Sequence, residues 1–191
     1  MTLSDRVKEL VCAGFSGIWV DSQEADDAVA AIKRLSDERG WGCDIWDIDR
    51  QLYGRNTAAP GPVNALKWLD EAEAKVSQTQ LLVVKNFHRY LQSTEVVQVL
   101  QNRLVEGKSA GRHIVVVSPT LQLPPEVEKL FTVVHHELPD RAQLTTIINE
   151  LFTGDNNSFT KPSDEQIALV VDAAAGMTRQ EAENAFALSL V

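Results

Sequence analysis

The sequence predicts an α/β fold: a five-stranded parallel sheet with helices on both faces, followed by a small helical unit. Three observations carry this. Leu81-Leu82-Val83-Val84 and His113-Ile114-Val115-Val116-Val117 are continuous apolar runs bounded by turns, the pattern of strands covered on both sides. Segments of helical period alternate with such runs as far as His136. From Asp140 onward only helical patterns remain, which divides the chain into residues 1–139 and 140–191.

Taken in order, Leu3, Val7, Leu10 and Val11 recur at helical spacing behind polar Thr2 and Ser4, and predict a short amphipathic helix ending near Gly14. Gly17-Ile18-Trp19-Val20 is the first strand. Its helix carries Ala25, Val29, Ile32 and Leu35 on one stripe, with Ser22 or Asp21 as the cap and a stop near Gly40. Cys43 to Ile48 alternates polar with apolar, as expected of a strand near the sheet edge with unequally buried faces. An irregular segment from Gly54 to Gly61 precedes a helix opened by Pro62, with Val63, Leu66, Trp68, Leu69, Ala72 and Val76 on its buried face.

The third strand, Leu81 to Val84, leads into a helix from Ser93 to about Val105, and His113 to Val117 is the fourth. Leu123-Pro124-Pro125 breaks the chain before a short helix around Val127 to Leu130, and Thr132 to His136 is the fifth strand. Helices follow over Ala142 to Leu151, Asp164 to Ala174 and Arg179 to Leu190, the first two separated by a loop rich in Asn, Ser and Gly. The apolar finish at Leu190-Val191 lacks a capping signal and suggests that a further domain follows.

At 191 residues and 44% hydrophobic, the chain can bury a substantial core. A net charge of −9, with acids and bases interspersed, disfavours nucleic acid and anionic membrane as partners. No run reaches membrane-spanning length, and Cys12 and Cys43 lie far apart without ligand-like neighbours, so a cytoplasmic, reducing location is expected. His135 and His136 are strand neighbours that point to opposite faces and cannot easily share one metal ion. His88 and His113 stand outside any Ser–Asp or Cys constellation, so neither a nucleophilic triad nor a metal site is expected. In Asn86-Phe87-His88-Arg89-Tyr90, the aromatic rings are expected to pack on the next helix.

The stretch Trp19-Val20-Asp21-Ser22-Gln23-Glu24-Ala25-Asp26-Asp27 decides the chemistry. It lies where the first strand turns into its helix, the place where a nucleotide-binding α/β protein needs glycines, backbone amides and a lysine around phosphate. Here there is no glycine, and four carboxylates neutralise the positive helix end.

The order of elements, with Leu81 to Asn86 at a Walker B position and Val115-Val116-Val117-Ser118-Pro119 at a sensor-1 strand, resembles the AAA+ ATPase module. Leu123-Pro124-Pro125-Glu126-Val127 resembles the segment after it, and Leu138-Pro139-Asp140-Arg141 the join into the lid. The run from Gly176 to Ala185 resembles the lid's last helix. The chain is similar in particular to the degenerate N-terminal AAA-like half of the plastid and cyanobacterial hypothetical-chloroplast-frame AAA proteins. This resemblance implies a P-loop NTPase-like core with a helical lid, and places the degenerate nucleotide-site positions at Asp21, Ser22, Lys85, Asn86, Ser118 and Arg179.

Carried across residue by residue, Asp21-Ser22-Gln23-Glu24 replaces Walker A, and Lys85-Asn86 replaces the metal ligand and general base. Lysine cannot coordinate Mg²⁺, asparagine cannot take a proton, and no arginine finger occurs between Ser118 and the fifth strand, where Lys129 is the nearest stand-in. Only Ser118 and Arg179 remain as sensor-like residues. No catalytic residue is expected, and no cofactor, with ATP and Mg²⁺ relevant only if an intact AAA module lies downstream. Lys85 is expected to pair with Asp21 across neighbouring strand ends, with a small cationic or polar ligand in the strand-end cleft as the alternative. Three functions compete: a non-hydrolysing regulatory or assembly half of an AAA ATPase with AAA subunits or an adjoining AAA domain as partners, a weak nucleotide binder using Arg179, and a receiver-like signalling domain. The last needs an aspartate where this chain reads Lys85-Asn86.

Overall fold

A computed structural model of the chain describes residues 2–53, 59–71, 79–152 and 162–189. It forms two compact units, Met1–His136 and Glu137–Val191. The first alternates helices and strands: α1 (Leu3–Cys12), β1 (Gly17–Asp21), α2 (Ala25–Arg39), β2 (Gly42–Asp47), β3 (Gln51–Leu52), α3 (Pro62–Glu71), β4 (Gln80–Lys85), α4 (Thr94–Ala110), β5 (Arg112–Ser118), α5 (Pro125–Glu128) and β6 (Phe131–His135). The second holds α6 (Arg141–Glu150), α7 (Asp164–Ala173) and α8 (Arg179–Ser189).

The sheet order is β3-β2-β4-β5-β1-β6, parallel throughout except for β3, which runs antiparallel to β2. The five parallel strands are those the sequence predicts, and β3 adds a sixth. Two residues are too few to display a period, so this strand had no sequence signal. A turn leads into it: the Asp47 carboxylate accepts the amides of Asp49 and Arg50 at 3.0 and 2.6 Å, and Gln51 sits at φ 55°.

Strand periodicity explains why the runs are apolar at every position. Leu81, Val83, Val115, Val117, Ile18 and Val20 face one layer, packed by Val7 and Leu10 of α1 and by Ala28, Ile32 and Leu35 of α2. Leu82, Val84, Ile114, Val116 and Trp19 face the other, packed by Leu66 and Leu69 of α3, Leu100 and Leu104 of α4, and Val127 of α5. Neither face meets water, so neither can carry a polar set.

Strand β2 has unequal faces as expected, but its more buried face carries Asp44 beside Trp46. Trp68 Nε1 and Gln80 Nε2 donate to Asp44 Oδ2 at 2.9 and 2.8 Å, which supplies the partners that a buried carboxylate requires. Helix α4 runs on to Ala110, past the expected stop near Val105. Leu104 remains on its buried face, and Gly107 lets the helix approach β5 so closely that a Cβ there would lie 2.5 Å from the Arg112 carbonyl. It ends at Gly111 in the left-handed conformation.

In the second unit, Leu144, Ile147 and Ile148 of α6 close a separate core with Ile167 and Val171 of α7 and Ala182 and Phe186 of α8. Capping boxes start α6 at Asp140 and α7 at Ser163, fixing both helix entries from local sequence. The expected contributions of Ala72, Val76 and Leu190, most of the irregular segment after Tyr53, and the loop after Phe152 lie outside the described residues. Cys12 and Cys43 are both free, and burial pushes the Cys43 thiol up to about 11. Among the described residues no helix is long and apolar enough to cross a membrane.

Candidate functional site at the carboxyl edge of the sheet

Four strands end at one level. Ser22 N donates to Ser118 O at 3.0 Å, His136 N to Asp21 O at 2.9 Å and Asn86 N to Val117 O at 2.9 Å. This edge of an open parallel sheet is the usual place for a ligand cleft. Side chains at the ends of β4 and β6, and backbone carbonyls at the end of β5, hold the connection from β1 into α2.

The expected pair between Lys85 and Asp21 does not form. Strand β5 lies between β4 and β1, so the two residues sit two strands apart, roughly 9–10 Å at the backbone. Lys85 Nζ instead reaches Asp26 Oδ1 in the first turn of α2, at 2.6 Å. Asp21 Oδ2 takes His135 Nδ1 on the adjacent strand, at 3.2 Å. The lysine is largely buried and its partner fully solvated, with side-chain exposures of 13% and 88%. The Lys85 charge also acts on Asp47. Burial pushes the Asp47 carboxyl up, but bonds from the Tyr53 hydroxyl and the amides of Arg50 and Asp49, together with Lys85, hold it below the usual range.

Ser22 is buried and fully used. Its hydroxyl accepts the Glu24 amide at 3.0 Å and meets His136 Nδ1 at 2.8 Å. With the proton on Nε2, the imidazole accepts the Ser22 hydroxyl and turns its N–H toward Asp27 Oδ2, 3.5 Å away. The expectation that Ser22 or Asp21 caps α2 needs correction. The N-cap is Glu24, without a side-chain bond, because Ser22 is engaged in a local turn one step upstream. Gln23 Nε2 adds a bond to the Pro119 carbonyl at 3.2 Å.

Ser118 is fully buried at the end of β5. Its hydroxyl donates to Thr120 O at 2.9 Å and accepts Thr120 N at 3.3 Å, so the 2.6 Å contact with His88 Nδ1 has the imidazole as donor. This partnership was missed in the sequence, where the two residues stand 30 apart. Asn86 is left-handed at φ 54°, a conformation that asparagine tolerates, and starts the 3₁₀ turn Phe87–Tyr90. Phe87 and Tyr90 pack edge-on against Trp46 of β2 as well as each other. Arg179 belongs to the helical unit, where it contacts Glu150 at 2.9 Å and Glu183 at 2.8 Å. His135 takes Asp21 at the end of β1 and His136 lies against Asp27 in the first turn of α2, and no cluster among the described residues could hold a metal ion.

Two buried histidines give the fold a pH dependence. Burial lowers the pKa of His113 although its Nδ1 bonds the Phe15 carbonyl, and burial followed by the Arg89 charge lowers that of His88. A histidine depressed below its unfolded value of about 6.5 binds fewer protons folded than unfolded. Its contribution is therefore complete above that value and is lost as pH falls through the folded pKa. Urea unfolding of the wild type and His113→Gln between pH 7.5 and 5 should show the wild type losing its advantage on acidification; an advantage that grows toward pH 5 would contradict this.

A mostly parallel sheet covered on both faces, with its loop crossing at the carboxyl edge and a trailing helical unit, defines the class as a P-loop NTPase-like module of the AAA+ type. The family model described as SpoVK-like AAA ATPase, N-terminal domain, matches residues 3–136, and that of the SpoVK-like AAA ATPase second domain matches residues 142–191. The chain belongs to the SpoVK-like AAA ATPase family. It is 24% identical over 159 residues to ycf46, an uncharacterised AAA domain-containing protein of Trieres chinensis, covering 82% of this chain but only 32% of that protein. Among solved structures, the FIGL-1 AAA domain in complex with ADP matches with a TM-score of 0.61 and 9% identity, over 88% of this chain and 58% of that one. Katanin matches with a TM-score of 0.61 and 12% identity, over 96% and 68%.

Proposed function

We propose that this chain is a non-hydrolysing AAA-like domain that works through protein contacts, as the regulatory or assembly half of an AAA ATPase. One observation carries the reading: the strand-end rim has no glycine loop and no carboxylate at the Walker B position, and Lys85 there is already paired with Asp26. The loop has no glycine to bring amides around a phosphate, and the Ser22 amide is taken by Ser118. The first turn of α2 presents Asp26 and Asp27, whose charges oppose an anion at the helix end. Lys85, the nearest cation, is held by Asp26, and an ammonium at the Walker B position cannot ligate Mg²⁺. The residues do not fit Mg·ATP, and phosphoryl transfer has neither a metal ligand nor a group to align water. Asp21, Ser22, Lys85 and Ser118 act on this reading as ties around the β1–α2 connection, Asn86 as the left-handed start of the turn after β4, and Arg179 as an ion-pairing residue of the helical unit.

What remains is the AAA+ framework, and katanin, which shares that fold, self-assembles. The partner we favour is another AAA subunit or an adjoining AAA domain. A ligand present at 100 times its Kd adds about 2.7 kcal/mol of stability, enough to move Tm by several degrees. Millimolar Mg·ATP or Mg·ADP should instead leave Tm within about 1 °C, with phosphate release at background. A Mg²⁺-dependent rise of several degrees would contradict the assignment.

A further inference from the structure

We propose that the open edge of β6 is a docking site for an extended segment of a partner protein, which joins the six-stranded sheet as a further strand. The inference rests on the reading that this chain works through protein contacts, but it uses backbone groups of β6 and no side chain of the nucleotide-site positions. The two edges of the sheet differ. At one, β3 has only two residues, too few to template another strand. At the other, β6 runs five residues, Phe131-Thr132-Val133-Val134-His135, in unbroken register with β1. It holds none of the lysines, prolines or bulges that protect exposed edges.

In a parallel ladder, alternate residues turn both backbone groups toward the same neighbour. His136 N donates to Asp21 O at 2.9 Å, so Thr132, Val134 and His136 face β1, whereas Phe131, Val133 and His135 turn N–H and C=O away from it. The sheet order ends at β6, so among the described residues no strand meets those outward groups. The edge is open to solvent: Thr132 and Val133 are half-buried and His135 is exposed. The spacing sets the chemistry of the occupant. Like-pointing groups recur every second residue, about 6.6 Å apart, which matches an extended backbone, whereas a helix has spent its amides internally. Apolar cover is also incomplete on both faces. Leu130 and Val133 are only partly buried against one layer, and Leu3 of α1, the helix that touches β6, only partly against the other. A strand rich in valine, isoleucine or threonine completes both. A second copy of this chain brings the same net charge of −9, which opposes pairing between two β6 edges.

The test uses the full chain and a capped peptide of about seven residues, alternating valine and threonine with a lysine at each end for solubility, and reads amide hydrogen exchange by NMR. In the free, dilute chain the amides of Val133 and His135 should exchange about tenfold or more faster than those of Val134 and His136. The peptide should bind with a Kd of about 10–500 μM and slow the first pair about tenfold or more, leaving the second within about twofold. The same peptide N-methylated at two consecutive central residues, which blocks both of its own edges, should neither bind nor protect. Val133→Pro removes one outward N–H at a place where proline is tolerated, and should weaken binding about tenfold or more. Circular dichroism checks that this variant is folded, and if it is not, the exchange pattern of the wild type decides. Slow exchange of Val133 and His135 in the free chain, no protection at about 1 mM peptide, or equal protection by the N-methylated peptide each overturns the proposal. So does protection that rises with the concentration of the chain alone, which would give the edge to a second copy. None of these readouts involves Mg·ATP, so failure of the edge and failure of the nucleotide reading are told apart.

Discussion

Replacing Trp46 by alanine should lower the unfolding free energy of the first unit by about 3–5 kcal/mol, the range for removing a buried large aromatic side chain. Trp46 has no exposed surface and stacks edge-on with Phe87 and Tyr90, ring centroids 5.9 Å apart in both cases. Its Nε1 donates to the Ala59 carbonyl at 3.1 Å. The indole therefore joins β2 to the 3₁₀ turn that directly follows Lys85 and Asn86, and its loss opens a cavity beneath the strand-end rim. Trp46→Phe keeps a ring for that packing but leaves the Ala59 carbonyl unpaired, and should cost about 1–3 kcal/mol. Denaturant unfolding followed by circular dichroism measures both. A cost below about 1.5 kcal/mol for the alanine variant would mean that the aromatic cluster does not anchor this edge.

Reversing the charge at Lys85 should cost about 2–4 kcal/mol, far more than neutralising it. Asp26 is solvated, so Lys85→Met merely frees an exposed carboxylate and should cost about 1 kcal/mol or less. Lys85→Glu instead places a mostly buried carboxylate against Asp26 and near Asp47, where the lysine charge now helps hold the Asp47 proton off. The penalty of the reversal should shrink as salt is raised, because part of the site is open to solvent. Equal effects of the two substitutions would mean that Lys85 contributes packing and not charge.

Much of the fold was legible because both faces of the sheet are covered, which writes the central strands β1, β4 and β5 into the sequence as unbroken apolar runs. Helix starts near Leu3, Ser93, Ala142 and Asp164 were legible from the helical spacing of apolar residues, and the structure adds caps at Thr2, Ser93, Asp140 and Ser163, each a contact between residues about three apart. Contacts decided by strand order were not. Lys85 and Asp26 are 59 residues apart, and Ser22 and His136 are 114 apart. Which strand ends become neighbours depends on β5 inserting between β4 and β1, which no local pattern encodes. For the same reason no local pattern pairs Asp21 with His135 or His88 with Ser118. The extension of α4 past Val105 turned on Gly107, a poor helix former that is tolerated because β5 passes too close for a side chain.

On the proposed reading, residues at the ends of β4, β5 and β6 tie down the connection from β1 into α2 where a nucleotide would place its phosphates. Calorimetric titration of the full chain with Mg·ATP tests it most directly, with Lys85→Met titrated alongside. We expect no saturable heat up to millimolar nucleotide for either protein. Saturable, Mg²⁺-dependent binding by the wild type at micromolar Kd, lost in Lys85→Met, would show that this edge holds phosphate after all and would contradict the account.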